Sequence, residues 1–461
     1  MTAYRTTAHR TARTTRETHT TAAYGAAAPP AHVRRARARA AARGTRALTG
    51  LLAAALIVLP GCGRGTGGAA EKPKDVNTAA PVTGTLAVWA MGSEGEALAT
   101  FAKRFEAANP GLKVTVTPIG WDVAHDKITA SIAGRATPDV SMIGSTWMGE
   151  LAKTGAVDPT PGNLIDESAF FPSAWDTVEV NGTAWGVPWY VETRVLYYRK
   201  DLAAKAGLTP PATWEQTKAF AKGLQKAGAT QGMNLNYTVG SWQEILPLVW
   251  QQGGSITGPD GTWTFDTPEM VKALAQQQSY FKEGLASSEV DPASFPASFF
   301  KGKVGAYFSG PWMIAAMEKD GGPGFAGKFD VAPYPKGSAG GTSFIGGSDL
   351  VVFKDAKNRD AAWKFVQWLT DPATQAAWFE AVKDLPAVQA AWQRPELKAD
   401  KRVAVFGEQL KDAKSPPPFP SWDQISKVID QEVEKVVLGR STPQEAAKAI
   451  QSQADAVGTG L

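Results

Sequence analysis

The chain has 461 residues, 43% of them apolar and 20% charged, which is material for more than one core and excludes an intrinsically disordered class. Its net charge of +4 is unevenly spread: residues 1–61 hold ten arginines against the single acid Glu17, so the remainder is acidic overall and offers no basic footprint for nucleic acid. Cys62 is the only cysteine, which excludes an intrachain disulfide and a cysteine-based metal site.

In chain order, residues 47–59 form an apolar run shorter than the roughly 18 residues of a membrane span but matching a signal-peptide core. Leu59-Pro60-Gly61-Cys62 follows and resembles a bacterial lipoprotein box, with Pro60 departing from the commonest pattern. The resemblance implies that residues 1–61 are a lipoprotein signal peptide and that Cys62 is lipidated, anchoring the chain at the outer face of the cell membrane. The Thr-rich stretch before the arginines is overlong for such a signal, which points to a translation start near Val33. Residues 62–84, built of Gly, Thr, Ala, Lys and Pro, read as a flexible tether.

The folded body begins with a strand over 85–89. Ala97, Leu98, Phe101 and Phe105 share a helical face that Asn109-Pro110-Gly111 ends. A strand over 113–118, a helix over 122–134 and a strand over 139–143 complete a β-α-β-α-β order, which predicts an α/β fold with a mainly parallel sheet. Further strands are expected over 195–198, 304–308, 329–333 and 346–353. Helices are expected after Thr213, whose Thr-Trp-Glu-Gln has capping-box form, and over 268–283. Ala362, Phe365, Val366 and Leu369 mark one inner helix face, and Ile425, Val428, Ile429, Val433 and Val436 another that stops at Gly439. Thr442-Pro443-Gln444-Glu445 opens the last helix.

Several segments together resemble the extracellular solute-binding proteins of sugar ABC importers, the group that includes the maltodextrin-binding proteins. They are residues 86–118 with their turn Phe105-Glu106-Ala107-Ala108-Asn109-Pro110-Gly111, residues 186–202, residues 301–312 and residues 346–370. The resemblance implies two discontinuous α/β lobes joined by a hinge: 85–192 with 346–398, and 193–345 with 399–461. It implies an oligosaccharide ligand, ABC permease transmembrane subunits as partners, a monomer, no cofactor and no enzymatic activity. Gly346-Gly347 suits a hinge crossing, because glycine tolerates the backbone angles that opening and closing demand.

All sixteen tryptophans lie after Cys62, and a pyranose needs flat aromatic platforms beside groups that bind hydroxyls. Trp363, Trp368, Trp378 and Trp392 fall on helical faces and are assigned to the core. The resemblance places platforms at Trp312 and Trp422; Trp147, Trp189 and Tyr190 are candidates from their loops and crossing. Ser93 and Glu94 follow the first strand, where open α/β sheets bind ligands. Glu192 aligns with a family carboxylate that accepts from sugar hydroxyls, Arg194 beside it donates or fixes it, and Gly347 completes the ligand-binding set. Two alternatives stay open: a solute of another chemistry on the same fold, and a secreted hydrolase using Glu94 and Glu192. His125, the one histidine after Cys62, stands in no triad-like or metal-like context.

Overall fold

The computed structural model describes residues 72–289 and 295–460. The expected signal segment 1–61, Cys62 and the first part of the expected tether lie outside the described residues. The rest of that tether corrects the expectation of a flexible spacer. Val76 is buried, and its N–H and C=O bond to the Asn163 side chain at 3.1 and 2.9 Å. Arg359 donates to the carbonyls of Lys74 and Asp75, Lys364 to that of Ala80, and Asn358 to that of Thr83. One apolar peg and a series of satisfied backbone groups turn this stretch into a strap along the body.

The strands run β1 Gly84–Met91, β2 Leu112–Ile119, β3 Val140–Gly144, β4 Glu179–Val180, β5 Thr183–Ala184, β6 Val187–Thr193 and β7 Val195–Arg199. They continue with β8 Gln231–Asn234, β9 Val304–Ser309, β10 Phe329–Ala332, β11 Ser343–Val352, β12 Leu385–Pro386 and β13 Ala413–Lys414. Among the described residues they form a seven-stranded sheet in the order β12-β6-β11-β3-β1-β2, with β13 on β11, and a four-stranded sheet, β10-β7-β9-β8. A small hairpin pairs β4 with β5.

The expectation of a mainly parallel sheet holds for only part of this arrangement. β1 pairs in parallel with β2 and β3, but β11 is antiparallel to both β3 and β6, and β12 is antiparallel to β6. In the second sheet β7 is antiparallel to β9 and β10, while β8 lies parallel to β9. The cause is connectivity: β11 returns to the first sheet after the whole second sheet has been built, and it enters in the opposite sense.

A single residue, Arg194, separates β6 in the first sheet from β7 in the second. The returning strand runs beside this crossing, with Ile345 opposite Thr193. Thr193 Oγ1 donates to the Phe344 carbonyl at 2.7 Å and Ser343 Oγ to the Arg194 carbonyl at 2.8 Å, both buried. At Gly347, φ is +129° and a Cβ would lie 2.1 Å from the Tyr190 carbonyl oxygen, so this close strand approach admits only glycine.

Helices pack on these sheets through the faces that periodicity marks. Arg359–Leu369 buries Ala362, Phe365, Val366 and Leu369, and Trp422–Val437 buries Ile425, Ile429, Val433 and Val436. Thr442 and Glu445 close a reciprocal capping box. At Thr213 only half the box forms. Its hydroxyl accepts from the Gln216 N–H, but the Gln216 side chain turns to the Ala212 N–H at 2.8 Å.

Candidate functional site

Strand direction gathers the candidate residues. β1, β2 and β3 run the same way, β11 opposes them and β6 opposes β11, so β6 ends at the edge where the first three strands end. β12 opposes β6 and begins there. Ser93 and Glu94 after β1, Trp121 after β2, Trp147 after β3, Glu192 at the end of β6 and Asp384 just before β12 therefore share one edge of the sheet.

Tyr190 ties this edge together. Its hydroxyl donates to Glu94 Oε1 at 3.3 Å and accepts from Ser348 Oγ at 3.1 Å. Burial, then the charges of Asp384 and Glu94, hold the phenol well above its ordinary value, so it stays a donor. Ser93 Oγ donates to the other Glu94 oxygen at 3.0 Å. Asp384 accepts from the indole N–H of Trp378 at 3.0 Å. Its carboxyl is pushed well above the carboxylate range, first by burial and then by the Glu94 and Glu192 charges. Glu192 lies 3.2 Å from Arg194 Nη1.

The second sheet closes on this edge through β7 and β9. Val195 pairs with Ser309, so the end of β9 leads through Gly310-Pro311 to Trp312 directly over Arg194. The guanidinium lies 4.8 Å from the Trp312 ring centroid and 5.5 Å from that of Phe344, and its other arm donates to Gln243. Trp312 is 43% exposed and Trp121 40% exposed, unusual for indole and consistent with surfaces that wait for a partner. Trp121 sits over Gly92 and meets Trp147 edge-on at 5.9 Å; His125 backs Trp147 and bonds Glu150 at 3.0 Å. Carboxylates, a guanidinium and exposed indoles in one place can grip a ring that has apolar faces and a hydroxyl rim.

The family model described as bacterial extracellular solute-binding protein matches residues 91–376. The chain belongs to that family. This solute-binding protein is 32% identical to the sugar-binding protein MalE of Xanthomonas citri, with a TM-score of 0.76 over 81% of this chain and 97% of that one. It is 26% identical to the GacH receptor of Streptomyces glaucescens, solved unliganded and with acarbose, at a TM-score of 0.72 over 81% and 98% of the two chains. Among curated relatives, the sn-glycerol-3-phosphate-binding periplasmic protein UgpB of Salmonella typhimurium is 26% identical over 396 residues, 77% of this chain and 87% of that protein. A binding protein of Brucella abortus is 28% identical over 368 residues, 77% and 88% of the two chains. The two-lobe α/β architecture of the solute-binding proteins is thus the fold of this chain.

The structure brings together Ser93, Glu94, Trp147, Tyr190, Glu192, Arg194, Trp312 and Gly347, but it corrects two candidates. Trp189 is 1% exposed, because side chains alternate along β6: Tyr190 and Glu192 face the site, and Trp189 faces the core against Trp378 at 4.8 Å. Trp422 is 2% exposed, enclosed edge-on by Trp242 at 5.1 Å and flanked by Trp263. Neither offers a free ring face. Two site residues escaped the sequence reasoning. Trp121 follows a strand end just as Ser93 and Trp147 do, so the same positional rule reaches it. Asp384 carries no such signal, since it precedes a two-residue strand lodged between helices. Trp378 is core, as its helical face indicates, yet it also orients Asp384. A cavity of about 640 Å³ borders the site at Pro311 and Lys383, floored by Ile314, Phe329 and Phe379.

Proposed function

We propose that this solute-binding protein is the ligand-capturing component of an ABC importer, that its ligand is an oligosaccharide, and that it carries no catalytic activity of its own. The observation that carries this is the pairing of exposed indoles, Trp312 and Trp121, with the hydroxyl-accepting carboxylates Glu94 and Glu192 and the Asp384 carboxyl at the junction of two sheets. The lobes divide as 85–192 with 346–398 and 193–345 with 399–461, and they close about the paired crossings at Arg194 and Phe344; the expected hinge at Gly346-Gly347 lies instead within the paired strand β11. Cys62 holds the monomer to the outer membrane face by its acyl chains, and the permease subunits receive the ligand there. Among the described residues no helix is long and apolar enough to cross a membrane.

A phosphorylated polyol, the ligand named for the UgpB relatives, suits this site poorly. Glu94 and Glu192 would face the phosphate as carboxylates, and the guanidinium that could receive it is already occupied with Glu192 and Gln243. Incubation with labelled oligosaccharides tests the proposal. Saturable binding without products is expected. Turnover would instead assign a hydrolase, with Asp384 as its proton donor.

A further inference from the structure

Each of the three site indoles that follow a strand end lies against a glycine. A Cβ on Gly92 would stand 2.9 Å from Trp121 Nε1, one on Gly144 3.1 Å from Trp147 Cε2, and one on Gly310 1.9 Å from Trp312 Cζ3. The three differ in what calls for glycine. At Gly92 φ is +55°, so the backbone alone favours it, and at Gly144 the overlap is one that a shift of a few tenths of an ångström removes. Gly310 stays out of the left-handed region, so its backbone would accept a side chain. There the demand comes from the ring: Cη2 and Cε3 of Trp312 would also lie 2.2 and 2.6 Å from the added carbon.

The peptide under the ring is itself held in place. Gly310 is buried, and its carbonyl accepts from the Tyr197 hydroxyl at 2.6 Å and from the Met313 N–H at 3.3 Å. Tyr197 is fully buried in β7 and stacks on Tyr307 at 5.0 Å, which fixes its own ring. Burial holds the phenol well above its ordinary value, so it remains a donor. The Arg194 guanidinium, 4.8 Å from the indole centroid, meets the ring from the crossing.

We infer that Gly310 and Tyr197 are positioning residues for ligand capture, acting through Trp312. Gly310 leaves empty the space in which the six-membered ring of the indole rests, and Tyr197 fixes the peptide beneath it. Together they set the angle at which Trp312 meets a sugar ring. This rests on the oligosaccharide reading and adds the two residues that aim its aromatic platform. Because Trp312 is 43% exposed, a methyl group at position 310 turns the ring aside without opening the core. The fold persists, and binding must then supply the cost of bringing the indole back.

A double-mutant cycle tests this, read by calorimetry with whichever of maltose, trehalose, cellobiose and xylobiose wild type binds most tightly. Gly310→Ala is expected to weaken binding at least about fivefold with the melting temperature little changed, yet by less than about twofold when added to Trp312→Ala, because the ring it displaces is then gone. Trp312→Phe supplies a rescue. Its ring lacks the outer carbons that the methyl group meets, so it should lower affinity in wild type and raise it in the Gly310→Ala chain; this arm decides where Trp312→Ala binds too weakly to measure. Tyr197→Phe removes only the hydroxyl and should likewise lose its effect on Trp312→Ala, which reads the same cycle if Gly310→Ala does not fold. Equal losses of affinity in both backgrounds, or a melting temperature that falls in step with affinity, overturn the inference and leave the oligosaccharide reading intact. If wild type binds none of the four sugars, both fall.

Discussion

Asp349 shows how burial decides a charge. Thr177 Oγ1 donates to the Ala174 carbonyl at 2.7 Å and reaches the two Asp349 oxygens at 3.1 and 3.3 Å. The hydroxyl has a single proton to share among these acceptors, so it does little to hold the Asp349 carboxylate charged. Burial pushes this carboxyl up to about 7. A folded value above the ordinary one means that folding takes up a proton. The contribution is therefore complete below about pH 4 and is lost as pH rises through 7, at most about 4 kcal/mol. Urea unfolding at pH 5 and pH 8 should show wild type losing stability over that interval and Asp349→Asn losing distinctly less; parallel slopes would mean that Asp349 is ionised throughout. In the site, Trp312→Ala should weaken ligand binding by tenfold or more, about 1.4 kcal/mol, with the melting temperature of the free protein little changed. Unchanged affinity by calorimetry would remove Trp312 from the site. Placement at the candidate site was legible where a motif or a strand end pointed to it, as at Glu192, Trp312 and Glu94. It failed at Trp189 and Trp422, because an indole on a crossing or loop looks the same in sequence whether its ring faces solvent or core.

At the level of elements, the paired strands β6 and β11 depend on Gly347, where φ is +129° and a Cβ would lie 2.1 Å from the Tyr190 carbonyl. Gly347→Ala should cost about 2 kcal/mol or more in denaturant unfolding and also disturb Tyr190; a loss below half that would show that the strands can separate cheaply. Asp430 plays a similar part among helices. It accepts from the Gly240 N–H at 2.8 Å, Ser241 Oγ at 2.9 Å and the Trp242 N–H at 3.0 Å, fastening the start of the helix Trp242–Trp250 to the helix Trp422–Val437. Asp430→Ala should therefore cost roughly 2–4 kcal/mol of stability, read in the same experiment. The elements themselves were largely legible, since the helix faces at 362–369 and 425–436 and the strand at 346–353 are written in apolar spacing. Direction was not. A continuously buried run such as β11 reads the same whichever way the strand runs, and only its return from the second sheet makes it antiparallel.

For the whole molecule, the first sheet supplies carboxylates and Tyr190, the second supplies Trp312 through β9, and Arg194 at the crossing touches both. Ligand binding should draw the two halves together, because contacts to Glu192 and Trp312 at once are worth more in a closed form. The central claim, that a polyhydroxylated ligand is captured between the two sheets, is tested most directly by calorimetric titration of oligosaccharides into wild type and Glu192→Gln. Saturable one-to-one binding in wild type, weakened tenfold or more in a variant of near-native stability, is predicted. Binding that Glu192→Gln leaves untouched would contradict it.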